Sequence, residues 1–259
     1  KKDSYAARLW QNVKRHKGLY LMILPIVAYY LVFCYYPMYG AQIAFRDYTP
    51  KLGVLHSPWA GLKHFAEFFK SVYFERLIRN TLSINLKNLL FGFPAPILLA
   101  LLLNEVRSQG YKKFVQTVSY MPHFISWVVF GGIVITLLSG DGGLFNQILL
   151  KLGVIEQPIV FMADSKYFWA IAILSNLVKE LGWSTILYTA AISGVDQELY
   201  EAADLDGASR VQKMRYVTLP CIKGTIVIMV IFAVAGIMNN NFDQLYVLQN
   251  SFNLEKSEV

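Results

Sequence analysis

Charge is scarce in this chain. Only 16% of its 259 residues are Asp, Glu, Lys or Arg, while 55% are hydrophobic; a soluble domain carries about 25% charged residues. So thin a polar complement is the composition of an integral membrane protein. Cysteine is nearly missing as well. Cys34 lies within an apolar run and Cys221 at the start of another, and neither has metal-ligand spacing to a His, which argues against a disulfide framework. The sequence holds no G-x-x-x-x-G-K-[ST], so if ATP drives its work, a partner hydrolyses it. His16, His56, His64 and His123 form no H-E-x-x-H, and no G-x-S-x-G occurs, which disfavours an intramembrane enzyme. No internal repeat is visible, which weighs against a secondary transporter built from inverted repeats. No cleavable signal peptide is evident.

What the chain has instead is long apolar runs. A spanning helix needs about 20 mostly apolar residues, and five stretches qualify: roughly 19–39, 82–106, 114–138, 167–192 and 222–238. Each is expected to be one transmembrane helix. Pro25, Pro37, Pro94 and Pro96 fall in the first two, where neighbouring groups can satisfy the carbonyls they free. The net charge of +7 fits bases flanking membrane helices better than a nucleic-acid surface. With the amino terminus inside, thirteen bases fall on inner segments and nine on outer ones, the order the positive-inside rule requires. Leu9, Trp10 and Val13 in the first 17 residues read as part of an interfacial helix. Five spans leave the carboxyl end outside, and the expectation is a truncated chain whose last helix is missing.

One polar stretch interrupts the apolar pattern: "LYEAADLDGASRVQKMRYVTLP", residues 199–220. Asp196 can cap a helix whose first turn carries Glu198. Leu199, Ala202, Ala203 and Asp206 share one helical face. Gly207 is a natural helix stop. Ser209 and Gln212 form a capping box that starts a second short helix, and Pro220 closes the unit before the next span. The expected loop is helix, Gly turn, helix, on the cytoplasmic side. It is either an ordinary re-entry loop or a docking knob for a soluble partner.

This stretch resembles the EAA loop of binding-protein-dependent ABC transporter permeases. Glu201, Ala202, Ala203, Asp206, Gly207, Ala208, Leu219 and Pro220 all match the family pattern of E-A-A, two residues, D-G-A, and a later L-P. Met214 stands where the family usually has Phe, and Met fills the same apolar slot. "FRDYTP", "SPWAGLKHF" and "LIRNTLSINL" look like the outer loop and second helix of sugar permeases, and "QTVSYMPHFISWVV" and "KELGWSTILYTAAISGVDQELYEAA" look like the subgroup that imports oligosaccharides derived from polysaccharides. The resemblance implies an all-α polytopic transmembrane bundle, with 1–18 as a cytoplasmic interfacial segment, 19–259 as the permease domain and 196–220 as the coupling loop. It also implies a second permease subunit in a heterodimer, two ATPase subunits that bind the ATP and Mg, an extracellular solute-binding protein and an oligosaccharide substrate. No cofactor or metal belongs to this chain. A permease for a non-sugar solute, or a secondary transporter, is the alternative.

Lys179 and Glu180 sit mid-span, where a charge costs about 2.5–3.5 kcal/mol on insertion scales and must face protein or water. Lys179 and Trp183 are four apart and can stack; Asn176 and Glu180 are four apart on another line. With Tyr188, these residues line a sugar pathway, hold two permeases together, or are simply buried. Asn85, Lys87 and Asn88 raise the same choice, with the permease interface or helix packing favoured. "NNNFDQ" at 239–244 closes the fifth span on the outer side and either shapes an outer gate or, the favoured reading, is a solvated helix end; Tyr48, Trp59, Phe65, Phe68 and Phe69 read as interfacial anchors and loop packing.

Overall fold

The computed structural model describes residues 14–259, so the interfacial segment expected around Leu9, Trp10 and Val13 lies outside the described residues. The described residues form two compact units, which divide between Phe74 and Glu75. Among the described residues there is no strand, only an isolated bridge between Arg46 and Trp59.

In the first unit, α1 runs Lys17–Phe45. It outlasts its prolines by changing pitch: a π turn at Leu31–Tyr35 precedes Pro37, and a 3-10 stretch, Tyr39–Phe45, finishes it. Wider and tighter turns absorb the carbonyls that a missing N–H leaves free. After α1, Arg46 organises a polar loop. Its guanidinium donates to the carbonyls of Leu55 and Ser57 at 3.0 and 2.9 Å. Phe45 stacks on Trp59 and packs on Phe65, while Phe68 and Phe69 pack on Phe74. Lys63, on α2 (Lys63–Lys70), pairs with Asp47 at 3.1 Å, and that carboxylate raises the Lys63 ammonium above its ordinary pKa.

The second unit is built around α7, Ser165–Ser193. Around it lie α3 (Val72–Glu105), α4 (Gln109–Phe124), α5 (Trp127–Leu137), α6 (Leu144–Lys151), α8 (Gln197–Leu205), α9 (Arg210–Ala235), α10 (Phe242–Leu248) and α11 (Leu254–Ser257). Two apolar clusters occupy the two ends of α7. Phe168, Ile171 and Ala172 pack with Ile84, Leu245 and Leu248; Tyr188 and Ile192 pack with Ile97, Ala100, Leu101 and Ile222. Between them α7 is polar. Gly182 faces the backbone of α4 so closely that a Cβ would overlap the Ser119 carbonyl; only glycine allows that approach.

The spans differ from expectation in three ways. The second begins at Val72, not Leu82, because the polar segment before it is amphipathic and buries Asn80 and Thr81. The stretch 114–138 is not one helix: α4 and α5 meet at a bend of 106°. Pro122 lacks an N–H, Ile125 is extended, and the Ser126 hydroxyl starts α5 by accepting from the Val129 N–H. Finally, the short helix expected after Gly207 does not stop at Pro220. It runs unbroken into the fifth span as α9, through a π turn at Met214–Thr218. The wider turn accommodates the ring of Pro220.

The α4–α5 bend leaves carbonyls without helical partners, and one ammonium collects them. Lys179 Nζ donates to the carbonyls of Pro122, His123 and Ile125 at 3.0, 2.7 and 2.7 Å. Its side chain is 4% exposed. The expected Lys179–Trp183 stack is therefore not formed: the ammonium is held by the bend, and it lies 5.5 Å from the ring of Trp127.

Lys179→Met keeps the length and removes the donors. It should destabilise the unit by about 3 kcal/mol, since three charge-assisted bonds are lost and the His123 and Ile125 carbonyls lose their donor. Thermal unfolding in mild detergent will show this as a Tm well below wild type, with Lys179→Arg intermediate.

Candidate functional site: a polar cavity and a capped loop helix

Two adjoining cavities open beside the middle of α7. The first, about 230 Å³, is lined by Asn85, Asn88, Asn176, Glu180 and Ser184, with Phe93, Pro96, Ala233 and Gly236 among its apolar walls. The second, about 500 Å³, shares Phe93, Pro96, Ser184 and Ala233 and adds Trp183, Tyr188 and Phe232. One end is thus amide and carboxylate, the other aromatic. Asn88 stands in a π turn of α3, Asn88–Gly92, which is followed by Pro94. Such turns re-aim side chains that an ideal helix would place elsewhere.

Of the residues expected at a pathway, Asn176, Glu180, Trp183 and Tyr188 line these cavities, and Lys179 does not. Tyr188 is only 2% exposed and belongs mainly to the packing around α7. Trp183 stacks on His123 rather than on Lys179, with ring centroids 4.3 Å apart and planes 1° apart. Glu180 receives a 2.7 Å hydrogen bond at Oε2 from His123 Nδ1–H, with Lys179 Nζ 3.9 Å from its other oxygen. His123 carried no signal beyond following Pro122, because the 106° bend that brings it to α7 is not periodic in the sequence.

The segment 239–244 is divided: Asn239, Asn241, Phe242 and Asp243 are open, as a solvated end would be, while Asn240 and Gln244 turn inward. Asn240 receives a hydrogen bond from Asn85 Nδ2 at 2.7 Å and donates to Thr81 Oγ1 at 3.0 Å. Gln244, 3% exposed, donates to the Ala172 carbonyl and to Ser175 Oγ, and Asn241 caps α10. These side chains tie α3, α7 and α10 together and line a third small cavity with Asn88 and Asn176. Lys87 is instead taken up by Trp169, its ammonium 3.6 Å from the ring centroid.

The loop helix α8 is set by its caps. Asp196 accepts from the Glu198 N–H at 3.0 Å. At the other end Gly207 has φ +73°, the Ala208 N–H donates to the Ala203 carbonyl at 2.9 Å, and the Gly207 N–H to Asp204 at 3.1 Å. That is a Schellman motif, and its left-handed residue favours glycine. The Ser209–Gln212 capping box then starts α9. Lys213 clamps α8 to α9 by a 2.7 Å pair with Asp204, and the Tyr200 hydroxyl meets buried Thr218 at 2.8 Å in the π turn. The face expected from Leu199, Ala202, Ala203 and Asp206 is divided: Ala203 is half-buried, the other three are open. Glu201 is also open, and Leu205, at the C-terminal tip of α8, is 91% exposed. Ala203, Asp206, Gly207 and Ala208 border a surface groove of about 330 Å³ with Gln212 and Tyr216. Leu219 and Met214 pack on the apolar cluster below, while Pro220 is exposed.

The family described as the binding-protein-dependent transport system inner membrane component matches residues 92–251, which include the cavity's α7 wall and the whole capped loop. The chain belongs to this family. It is 47% identical over 252 residues to the polygalacturonan/rhamnogalacturonan transport system permease protein YteP of Bacillus subtilis (strain 168), covering 97% of this chain and 78% of that one. Protein LplB of the same organism is 43% identical over 247 residues, 95% of this chain and 77% of that one. Among solved structures, a bacterial ABC transporter involved in the import of the acidic polysaccharide alginate superposes with a TM-score of 0.89 at 42% identity, over 97% of this chain and 84% of that chain. A second structure of a bacterial alginate ABC transporter, in complex with an alginate pentasaccharide-bound periplasmic protein, gives 0.88 at 41% identity, over 97% of this chain and 83% of that one. This family member is a multi-pass membrane permease with the fold of an ABC importer subunit, and not an enzyme.

Tyr200→Phe removes the bond to buried Thr218 and should cost the α8–α9 joint about 1 kcal/mol. Hydrogen exchange of amides 197–205 should quicken by about fivefold at that cost, with α7 amides unchanged.

Proposed function

We propose that this permease moves oligosaccharides cut from polysaccharides across the bacterial cytoplasmic membrane, driven by a separate ATPase that docks on the loop 196–220. The amino terminus lies in the cytoplasm, a solute-binding protein delivers the sugar outside, and a second, different permease completes the pathway. The observation that carries the reading is the construction of α8. It is capped at both ends, clamped by Lys213 and Tyr200, and joined through one glycine turn to a helix that runs on to the cavity wall. A short element so fixed moves as a unit, and a partner's closing motion can bias a two-state membrane bundle through it. Exposed Leu205 and the open side of α8 offer the apolar and acidic contacts for that partner.

The sugar reading rests on the cavity. Amides and a carboxylate suit hydroxyl groups, and aromatic faces suit the C–H faces of a pyranose. Relatives named for polygalacturonan, rhamnogalacturonan and alginate point to the same class of cargo. In transport, Asn176, Glu180 and Trp183 contact the sugar, and Lys179 shapes the wall behind them.

Affinity purification from the native membrane in mild detergent should bring down an ABC ATPase and a second permease. Gly207→Pro, which cannot hold φ at +73°, should lose most of the ATPase while retaining the permease partner. Sugar-stimulated hydrolysis at the wild-type level in that variant would sink the docking assignment.

A further inference from the structure

His123 makes three contacts around the cavity, and each fixes something different. Its carbonyl is held by Lys179 Nζ at 2.7 Å, which fixes the backbone. Its Nδ1 bonds Glu180 Oε2 at 2.7 Å, which fixes a carboxylate. Its ring lies flat on Trp183, 4.3 Å between centroids, which fixes an indole. Phe124 closes edge-on against both rings, 5.4 Å from His123 and 5.8 Å from Trp183.

Glu180 belongs to the amide end of the cavity and Trp183 to the aromatic end. They are three residues apart on α7, one helical turn, so a single neighbouring ring can meet both. The ring must present a face to one and an edge donor to the other. Phenylalanine has the face without the donor; asparagine has a donor without the face. Left alone, a half-exposed Glu and a Trp that is 46% exposed would each sample several rotamers. Groups that bind cargo keep their geometry through such supporting contacts.

We propose that His123 is a positioning residue for the transport pathway: it holds Glu180 and Trp183 together in one cargo-facing arrangement and so sets which oligosaccharides pass. The proposal rests on reading the cavity as the sugar pathway. His123 acts through these two side chains, without touching the sugar.

The test uses the complete transporter, purified with its co-purifying subunits and placed in proteoliposomes with its binding protein. One labelled mixture of oligosaccharides from polygalacturonan, rhamnogalacturonan and alginate is offered, and the ratio among those accumulated is read. That ratio is independent of how much folded transporter each preparation contains. His123→Phe and Glu180→Gln should each shift it by about fivefold in the same direction, and the double variant should shift it no further, as expected of two residues acting as a unit. His123→Asn breaks the contact to Trp183 instead, and should shift the ratio to a different value. Wild-type ratios in both His123 variants would overturn the proposal. So would a double variant whose shift is the product of the two single ones. A wild-type transporter that accumulates none of the mixture would instead remove the sugar-pathway reading, and this proposal with it.

Discussion

A single ammonium makes the bend in this bundle possible. In a bilayer an unpaired carbonyl is costly, so helices rarely break unless something inside the protein takes over the lost bonds. Lys179 does so for Pro122, His123 and Ile125. Without it, a 106° turn would strand the His123 and Ile125 carbonyls; that of Pro122 also accepts the Ile125 N–H, at 3.2 Å. With it, α4 is pinned to α7, Gly182 can lie against the Ser119 backbone, and His123 arrives beside Glu180 and Trp183. The charge thus belongs to the architecture, and the cavity's chemistry is arranged around it.

Amides supply the second kind of glue. Asn85, Asn240, Thr81 and Gln244 join three helices by hydrogen bonds where a soluble protein would use a larger apolar core. Some of the same side chains border the cavity, so helix packing and the cavity's polar lining draw on one set of groups. Apolar clusters at both ends of α7 hold this polar middle in place.

The sequence was most legible where the controlling interactions were local. Asp196, Gly207, Ser209 and Gln212 announce their caps within four residues, and the structure forms each of them. Apolar length likewise located the helices, though not their ends: amphipathic turns such as 72–81 extend a helix beyond its oily part. Long-range effects were not legible. Nothing near Pro122 says that a lysine 57 residues later will take its carbonyl. Nothing in "NNNFDQ" says that Asn240 will find Asn85 across 155 residues. Pro220 misled because a proline usually ends a helix, and here the π turn before it lets the helix continue.

That continuity has a mechanical consequence. From Arg210 to Ala235 the chain is one rod of 26 residues, about 39 Å at 1.5 Å per residue. Its foot is bolted to α8, and its far end carries Ala233 and ends at Gly236, both in the cavity wall. A tilt of the foot by a few degrees therefore becomes a displacement of about 2–3 Å at the cavity, by lever geometry over that length. Such a tilt shifts the cavity wall with no change in secondary structure.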